Sequence, residues 1–309
     1  RFLSPMVLAL PGDVAPFSKT MLVTSASGNL YSENVSYSTL NIVTSDLTVR
    51  DDVSLTAAQN GQKLYIADYG DLRAEGTNGV VSGSELDSAS YADWTTLGID
   101  TDTDVVVLSE VGGSTVADTY MIASVAAGAI TLNSAPGDGS GNTFRIERGP
   151  KVYDPDAGTL TLLTATAGQV PTGCPLICRY NGRIFLAGAQ IAPHVWYCSK
   201  QNDEQGWDYS LTGSQRAVAG TNSDVGTPGK AMTAMFTHSD DYLIMASKDE
   251  IYRMRGDPAF GGILGRLSSL IGIVDMNAWC IGPAAFMFCR PAGIQCHFLC
   301  RVRNYRKNY

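Results

Sequence analysis

The chain has 309 residues, 44% of them hydrophobic and only 17% charged, with a net charge of −8. That apolar fraction can build one large core or two modest ones. The acidic balance excludes a general nucleic-acid-binding surface, and a polar surface made of Ser, Thr, Asn and 32 Gly in place of charge is not that of a helical enzyme.

Strand-like runs alternate with turn signals along the chain. It begins at Arg1 without a methionine, so the true N-terminus is expected further upstream. Short runs rich in Val, Ile, Tyr and Thr, bounded by Gly, Asp, Asn or Pro, occur at Met21–Ser25 and Lys63–Asp68. Asp104–Leu108, Tyr120–Val125, Ala129–Leu132 and Thr143–Ile146 come next. Thr159–Thr164, Arg183–Ala187, Val195–Ser199, Tyr242–Ala246 and Glu250–Met254 complete the series. Helical periodicity is missing apart from one expected turn near Asp87–Trp94.

One segment reads as an insertion. Removing residues 71–148 would join Leu64-Tyr65-Ile66-Ala67-Asp68 to Lys151-Val152-Tyr153-Asp154 as a single hairpin. The removed piece has strands of its own, including a pair turning through Ala126–Gly128, enough for a small barrel or sandwich. Loop tips tolerate such additions.

Beyond it, Arg179-Tyr180-Asn181-Gly182-Arg183 carries Asn-Gly, which accepts positive φ and favours a type I′ hairpin. A second hairpin joins Tyr242–Met245 to Glu250–Met254 around Ser247–Asp249. Two hairpins flanking a long loop, about 200–230, read as neighbouring propeller blades, which bury their faces only against each other. The expected fold is all-β: a partial or complete β-propeller-like assembly of short antiparallel strands with a small inserted β-barrel or sandwich domain. Its first strands fall in 1–70, the insert in 71–148 and the continuation in 149–283.

Residues 284–309 form an atypical basic, Cys-rich end. Acidic residues stop at Asp275, while Arg290, Arg301, Arg303, Arg306 and Lys307 leave about −13 for the rest of the chain. A solvated tail is the plain reading, and contact with DNA or an acidic neighbouring subunit is the alternative. A shifted reading frame after Pro283 would also account for the change, and it predicts no packed strand there.

Two stretches carry a resemblance. Gly182–Ser210 reads GRIFLAGAQIAPHVWYCSKQNDEQGWDYS, and Ala231–Val274 reads AMTAMFTHSDDYLIMASKDEIYRMRGDPAFGGILGRLSSLIGIV. The pattern is a strand ending in Gly, a loop, an aromatic strand ending in Ser and an acidic loop closing on Trp. A second strand pair then leads to Gly-Asp-Pro, Gly-Gly and a Ser-rich approach to Ile-Gly-Ile. This resembles virion structural proteins of tailed bacteriophages and, more distantly, the propeller-bearing tail nozzle or hub proteins of short-tailed phages. It contains no catalytic signature. It implies copies of the chain arranged in a ring around a tail channel in the virion. Tail, portal or adaptor proteins would be neighbours, with non-specific contact to DNA during ejection.

Other constellations point to no chemistry. Seven cysteines (Cys174, Cys178, Cys198, Cys280, Cys289, Cys296 and Cys300) are an odd count without a framework. Cys296-His297 with Cys300 lacks the second pair a zinc site needs, so no metal is expected. Asp203, Glu204 and Asp208 beside Trp207 suggest a glycosidase pair, but their clustering in one loop favours a solvated turn. Asp240, Asp241, Asp249, Asp257 and the stretch Asp138–Asn142 lack calcium-loop spacing. His194 and His238 have no G-x-S-x-G serine, and Gly256 with Gly261-Gly262 is not followed by a phosphate-loop lysine. Leu264–Phe288 is broken by Arg266, Asp275 and Asn277, so no membrane span is expected. The expectation is a structural protein, not an enzyme, without cofactor, whose key residues are the packing anchors Trp196, Trp207, Tyr242, Tyr252 and Trp279. The alternative is a receptor- or carbohydrate-binding propeller, binding or hydrolysing glycans with Trp94, Trp196 and Trp207.

Overall fold

Three strands are apolar without alternation: Lys63–Ala67 (KLYIA), Arg183–Ala187 (RIFLA) and Tyr242–Ala246 (YLIMA). Successive strand residues point to opposite faces, so such runs need cover on both sides. The computed structural model describes residues 3–8, 19–33, 39–43, 45, 47, 49, 55–68, 72–101, 104–189, 192–238, 241–281 and 286–289. In it, each of these strands lies inside a four-stranded antiparallel sheet.

Four such sheets follow in chain order. The first is Leu3–Leu8, Lys19–Ala26, Asn29–Glu33 and Leu40–Ile42. The second is Thr56–Asn60, Lys63–Ala67, Lys151–Asp154 and Thr159–Leu162. The third is Leu176–Tyr180, Arg183–Ala187, Trp196–Cys198 and Val218–Ala219. The fourth is Ala234–His238, Tyr242–Ala246, Ile251–Asp257 and Phe260–Ser268, and a pair, Trp279–Ile281 with Phe286–Phe288, comes after it. Each sheet is a simple up-and-down meander.

Alternating side chains bind each sheet to both of its neighbours. Leu64 and Ile66 pack with Val23 and Leu30 of the first sheet, whereas Tyr65 and Ala67 pack with Ile184 and Leu186 of the third. Phe185 and Ala187 turn the other way, onto Leu243 and Met245 of the fourth. Ile244 and Ala246 then meet Ile273 and Phe288. The sheets therefore stack face to face in chain order, and a fully buried Leu, Ile or Phe contributes about 1.5–3 kcal/mol at each interface.

Strands Lys63–Ala67 and Lys151–Asp154 pair directly, Ile66 with Lys151 and Leu64 with Tyr153. Between them, Leu72–Arg148 forms a closed six-stranded barrel. Its strands are Leu72–Ser82, Glu85–Ser88, Asp104–Glu110, Thr119–Val125, Ile130–Leu132 and Gly139–Arg148. Trp94 fills the interior, stacked on Tyr91 at 4.6 Å between ring centres and edge-on to Phe144 at 5.8 Å. Gly76 and Gly79 make room for Phe144, because a Cβ at either would lie 2.8 or 2.9 Å from its ring. At the neck of the barrel, Lys151 Nζ meets Asp68 Oδ2 at 2.7 Å with both side chains wholly buried.

No α-helix occurs among the described residues, and none of them forms a helix long and apolar enough to cross a membrane. The expected turn near Asp87–Trp94 is a short 3-10 turn, Trp94–Leu97, capped by Asp93, whose Oδ1 accepts from Thr95 N at 2.9 Å. Asn181 and Gly182 take φ of 49° and 69°, as a type I′ hairpin requires. Beyond Pro283, the strand Phe286–Phe288 pairs with Trp279–Ile281, and Phe288 is buried against Ile273. Cys296, His297, Cys300 and the basic residues from Arg290 onward lie outside the described residues.

Candidate interaction surfaces and an interdomain cleft

The five anchors occupy different settings. Trp196 and Trp207 are wholly enclosed, their indole N–H groups donating to Gly226 O at 2.9 Å and Glu204 O at 2.7 Å. Tyr252 is half-buried and donates its hydroxyl to Glu250 Oε2 at 2.6 Å. The half-buried Tyr242 ring lies under the guanidinium groups of Arg253 and Arg255, at 5.0 and 5.6 Å. Trp279, also half-buried, stacks on Phe236 with ring centres 4.0 Å apart. Tyr242, Tyr252 and Trp279 are thus partly exposed and pack against the margins of core clusters.

The tryptophans proposed for glycan binding do not converge. Trp94, Trp196 and Trp207 are fully buried in three separate core clusters, so none offers a ring face to a sugar. The loop carboxylates serve turns: Asp203 accepts from Gln205 N and meets Lys200 at 3.3 Å, while Asp208 accepts from Ser210 N and Oγ. Among the described residues no group of three His, Cys, Asp or Glu side chains is placed to hold a metal ion. Cys174, Cys178 and Cys198 are buried, and burial pushes the Cys198 thiol up to about 12, which makes it a poor nucleophile.

Sequence reasoning missed the most connected polar side chain among the described residues. Arg183 is fully buried, and its Nε and Nη2 reach the two carboxylate oxygens of Asp257 at 2.9 and 3.0 Å. It also donates to the carbonyls of Ser199 at 2.8 Å and Arg216 at 2.6 Å. One guanidinium thus clips the third sheet to the fourth and to the loop before Val218. The available signal was a charge opening an otherwise apolar run, RIFLA, directly after a hairpin turn.

A cleft of about 620 Å³ lies between the barrel and the third sheet with its flanking loops. Asp118, Arg145 and Glu147 line the barrel side; Gln169, Tyr197 and Tyr209 line the other. Arg145 Nη2 lies 2.6 Å from Glu147 Oε1. Burial pushes the Tyr197 hydroxyl up to about 12 and holds Tyr209 well above its usual value, so both are neutral phenols at physiological pH. Gln169 Nε2 and Tyr209 OH are enclosed without a protein hydrogen-bond partner, which leaves them to water or a polar ligand.

The fourth sheet has a second exposed surface. Its last strand, Phe260–Ser268, is an edge, and Phe260, Ile263 and the following Leu270 are 76%, 67% and 89% exposed. On the sheet face away from the third sheet, Trp279, Ile273 and Phe288 cover the first two strands. Arg253, Arg255 and, paired with Arg255, Ile263 share that face on the last two strands. A glycine-rich edge with exposed apolar side chains is a surface that proteins ordinarily blunt or cover.

Comparison with models of known protein families and with curated protein sequences finds no match.

Proposed function

We propose that the chain is a structural subunit of a bacteriophage tail, a β-propeller-type protein that assembles with copies of itself into a ring of the nozzle or hub kind. The observation that carries this reading is the stack of four-stranded meanders in chain order, in which each inner strand divides its side chains between two neighbouring sheets. Propeller blades are packed in this way. The half-face and edge of the fourth sheet that no described residue covers support association with further protein.

The work of such a subunit is mechanical. Its neighbours are other copies and adjoining tail, portal or adaptor proteins, and its place is the virion. A net acidic chain gives DNA few cations with which to exchange counterions, which suits a lining or cap that lets a polyanion slide past. Electron microscopy of the purified chain should show closed rings, and monodisperse monomers at high concentration would overturn the ring. Gold-labelled antibody against the chain should decorate the tails of intact particles; label confined to heads would overturn the location.

The cleft favours a second reading, a receptor- or carbohydrate-binding protein. It brings Asp118, Asp208 and Glu147 together with Tyr197 and Tyr209, and neutral phenols beside carboxylates suit hydroxyl-rich ligands. Glycan-array binding abolished by Tyr209→Phe would promote it over the structural reading.

A further inference from the structure

We propose that neighbouring copies meet head to tail, the acidic barrel of one seated on the uncovered half-face of the next copy's fourth sheet. This inference rests on the ring reading above and specifies its contact.

The two surfaces differ in charge. On the barrel, Glu85, Asp87, Glu110, Asp118 and Asp138 are exposed. Its three arginines are each held by a carboxylate of the barrel: Arg73 and Arg148 by Asp104 at 3.5 and 2.8 Å, and Arg145, on the cleft side, by Glu147 at 2.6 Å. Among the described residues the barrel therefore shows carboxylates and no exposed cation. Val80, which pairs with Asp87 across adjacent strands, adds exposed apolar area beside Glu85 and Asp87.

The fourth sheet offers the complement. Arg253 and Arg255 stack over Tyr242 on the open half-face, with Ile263 beside them and Phe260 at the edge. Asp257 holds Arg183, Asp249 meets Lys230 and Glu250 meets Arg266. Among the described residues no ion pair engages Arg253 or Arg255, which suits them to an external anion.

A two-fold contact would seat each barrel on the other copy's sheet and stop at a dimer, whereas the same contact repeated head to tail continues from copy to copy. Unlike surfaces make a heterologous contact, which gives a ring where the rotation closes.

Charge reversal tests the contact by analytical ultracentrifugation of the full chain. R253E/R255E and E85K/D87K should each weaken self-association at least about tenfold, with the unfolding midpoint unchanged. Mixing the two variants, or combining all four substitutions in one chain, should restore assembly. Added salt should weaken the wild-type assembly. Because Asp87 also accepts from Ser88 N, E85K alone serves if the double variant fails to fold. Assembly undiminished in R253E/R255E overturns this contact and leaves the ring reading standing. Loss in both variants without rescue on mixing also overturns it, and assigns the half-face to another segment or protein. A wild-type chain that stays monomeric overturns the ring reading itself.

Discussion

In the barrel strand Glu85–Ser88 every second residue is buried, whereas all five residues of Arg183–Ala187 in the third sheet are buried. The barrel closes on itself and has no free edge, and its strands alternate between interior and solvent except Asp104–Leu108, which are all buried where the barrel meets the stack. The stacked sheets leave their edges free and bury both faces instead, and their interior strands lose alternation. The difference also governs polar groups. The barrel pairs its arginines with its own carboxylates, Arg148 with Asp104 and Arg145 with Glu147 on the cleft side. The stack places charge where sheets join, with Lys151–Asp68 at the barrel's neck and Arg183–Asp257 between the third and fourth sheets.

The contrast breaks most severely at Arg183. Asp257→Ala leaves a buried guanidinium without its carboxylate and should cost about 3–5 kcal/mol in urea unfolding. Replacing both partners, Arg183→Met with Asp257→Leu, should recover most of that loss. A double variant as unstable as the single one would show that the carbonyls of Ser199 and Arg216 need the guanidinium.

A smaller effect, confined to the barrel, is expected at Gly79→Ala. The added methyl meets Phe144 at 2.9 Å, and overpacking of this kind costs about 1–3 kcal/mol. Differential calorimetry should then resolve an earlier barrel transition, with the stack unmoved. A single transition shifted as a whole would show that barrel and stack unfold as one unit.

Alkaline pH should act in the opposite sense, on the stack first. All seven cysteines lie outside Leu72–Arg148. Burial raises Cys198 from 9.0, and Tyr197 from 10.0, to about 12. Both groups hold their protons more tightly when folded than unfolded. Their stabilisation is complete below pH 9 and is lost as the pH rises through the folded values near 12. Tyrosinate absorbance in the stack should therefore appear together with unfolding; ionisation well before unfolding would show that these groups are not enclosed. The mildest change is Tyr252→Phe, which removes the 2.6 Å bond to Glu250 and should cost about 0.5–1.5 kcal/mol by chemical denaturation.

What could be read from residues alone is what local geometry dictates. Asn181-Gly182 announces its hairpin because two successive positive φ angles suit few other pairs. The short Val-, Ile- and Tyr-rich runs at Tyr120–Val125 and Tyr242–Ala246 announce strands through their pattern. Two of the strands missed have glycine-rich sequences that read as loops. Leu72–Ser82 reads LRAEGTNGVVS, a loop by composition, yet Gly76 and Gly79 are there to admit Phe144 from another strand. Phe260–Ser268 carries three glycines and is held by pairing with Ile251–Asp257. Candidate-site legibility followed the same division: Trp196 and Trp207 were marked by size, which makes burial the default.

Arg183 was not marked, because its partner Asp257 lies 74 residues along the chain. The composition and period-two pattern determined that this protein is all-β, since propensity and turn chemistry act within a few residues. Only the tertiary structure decided which apolar faces meet, where the barrel closes, and which half-face of the fourth sheet stays bare. Those outcomes depend on contacts between residues far apart in the chain, and no local pattern encodes them.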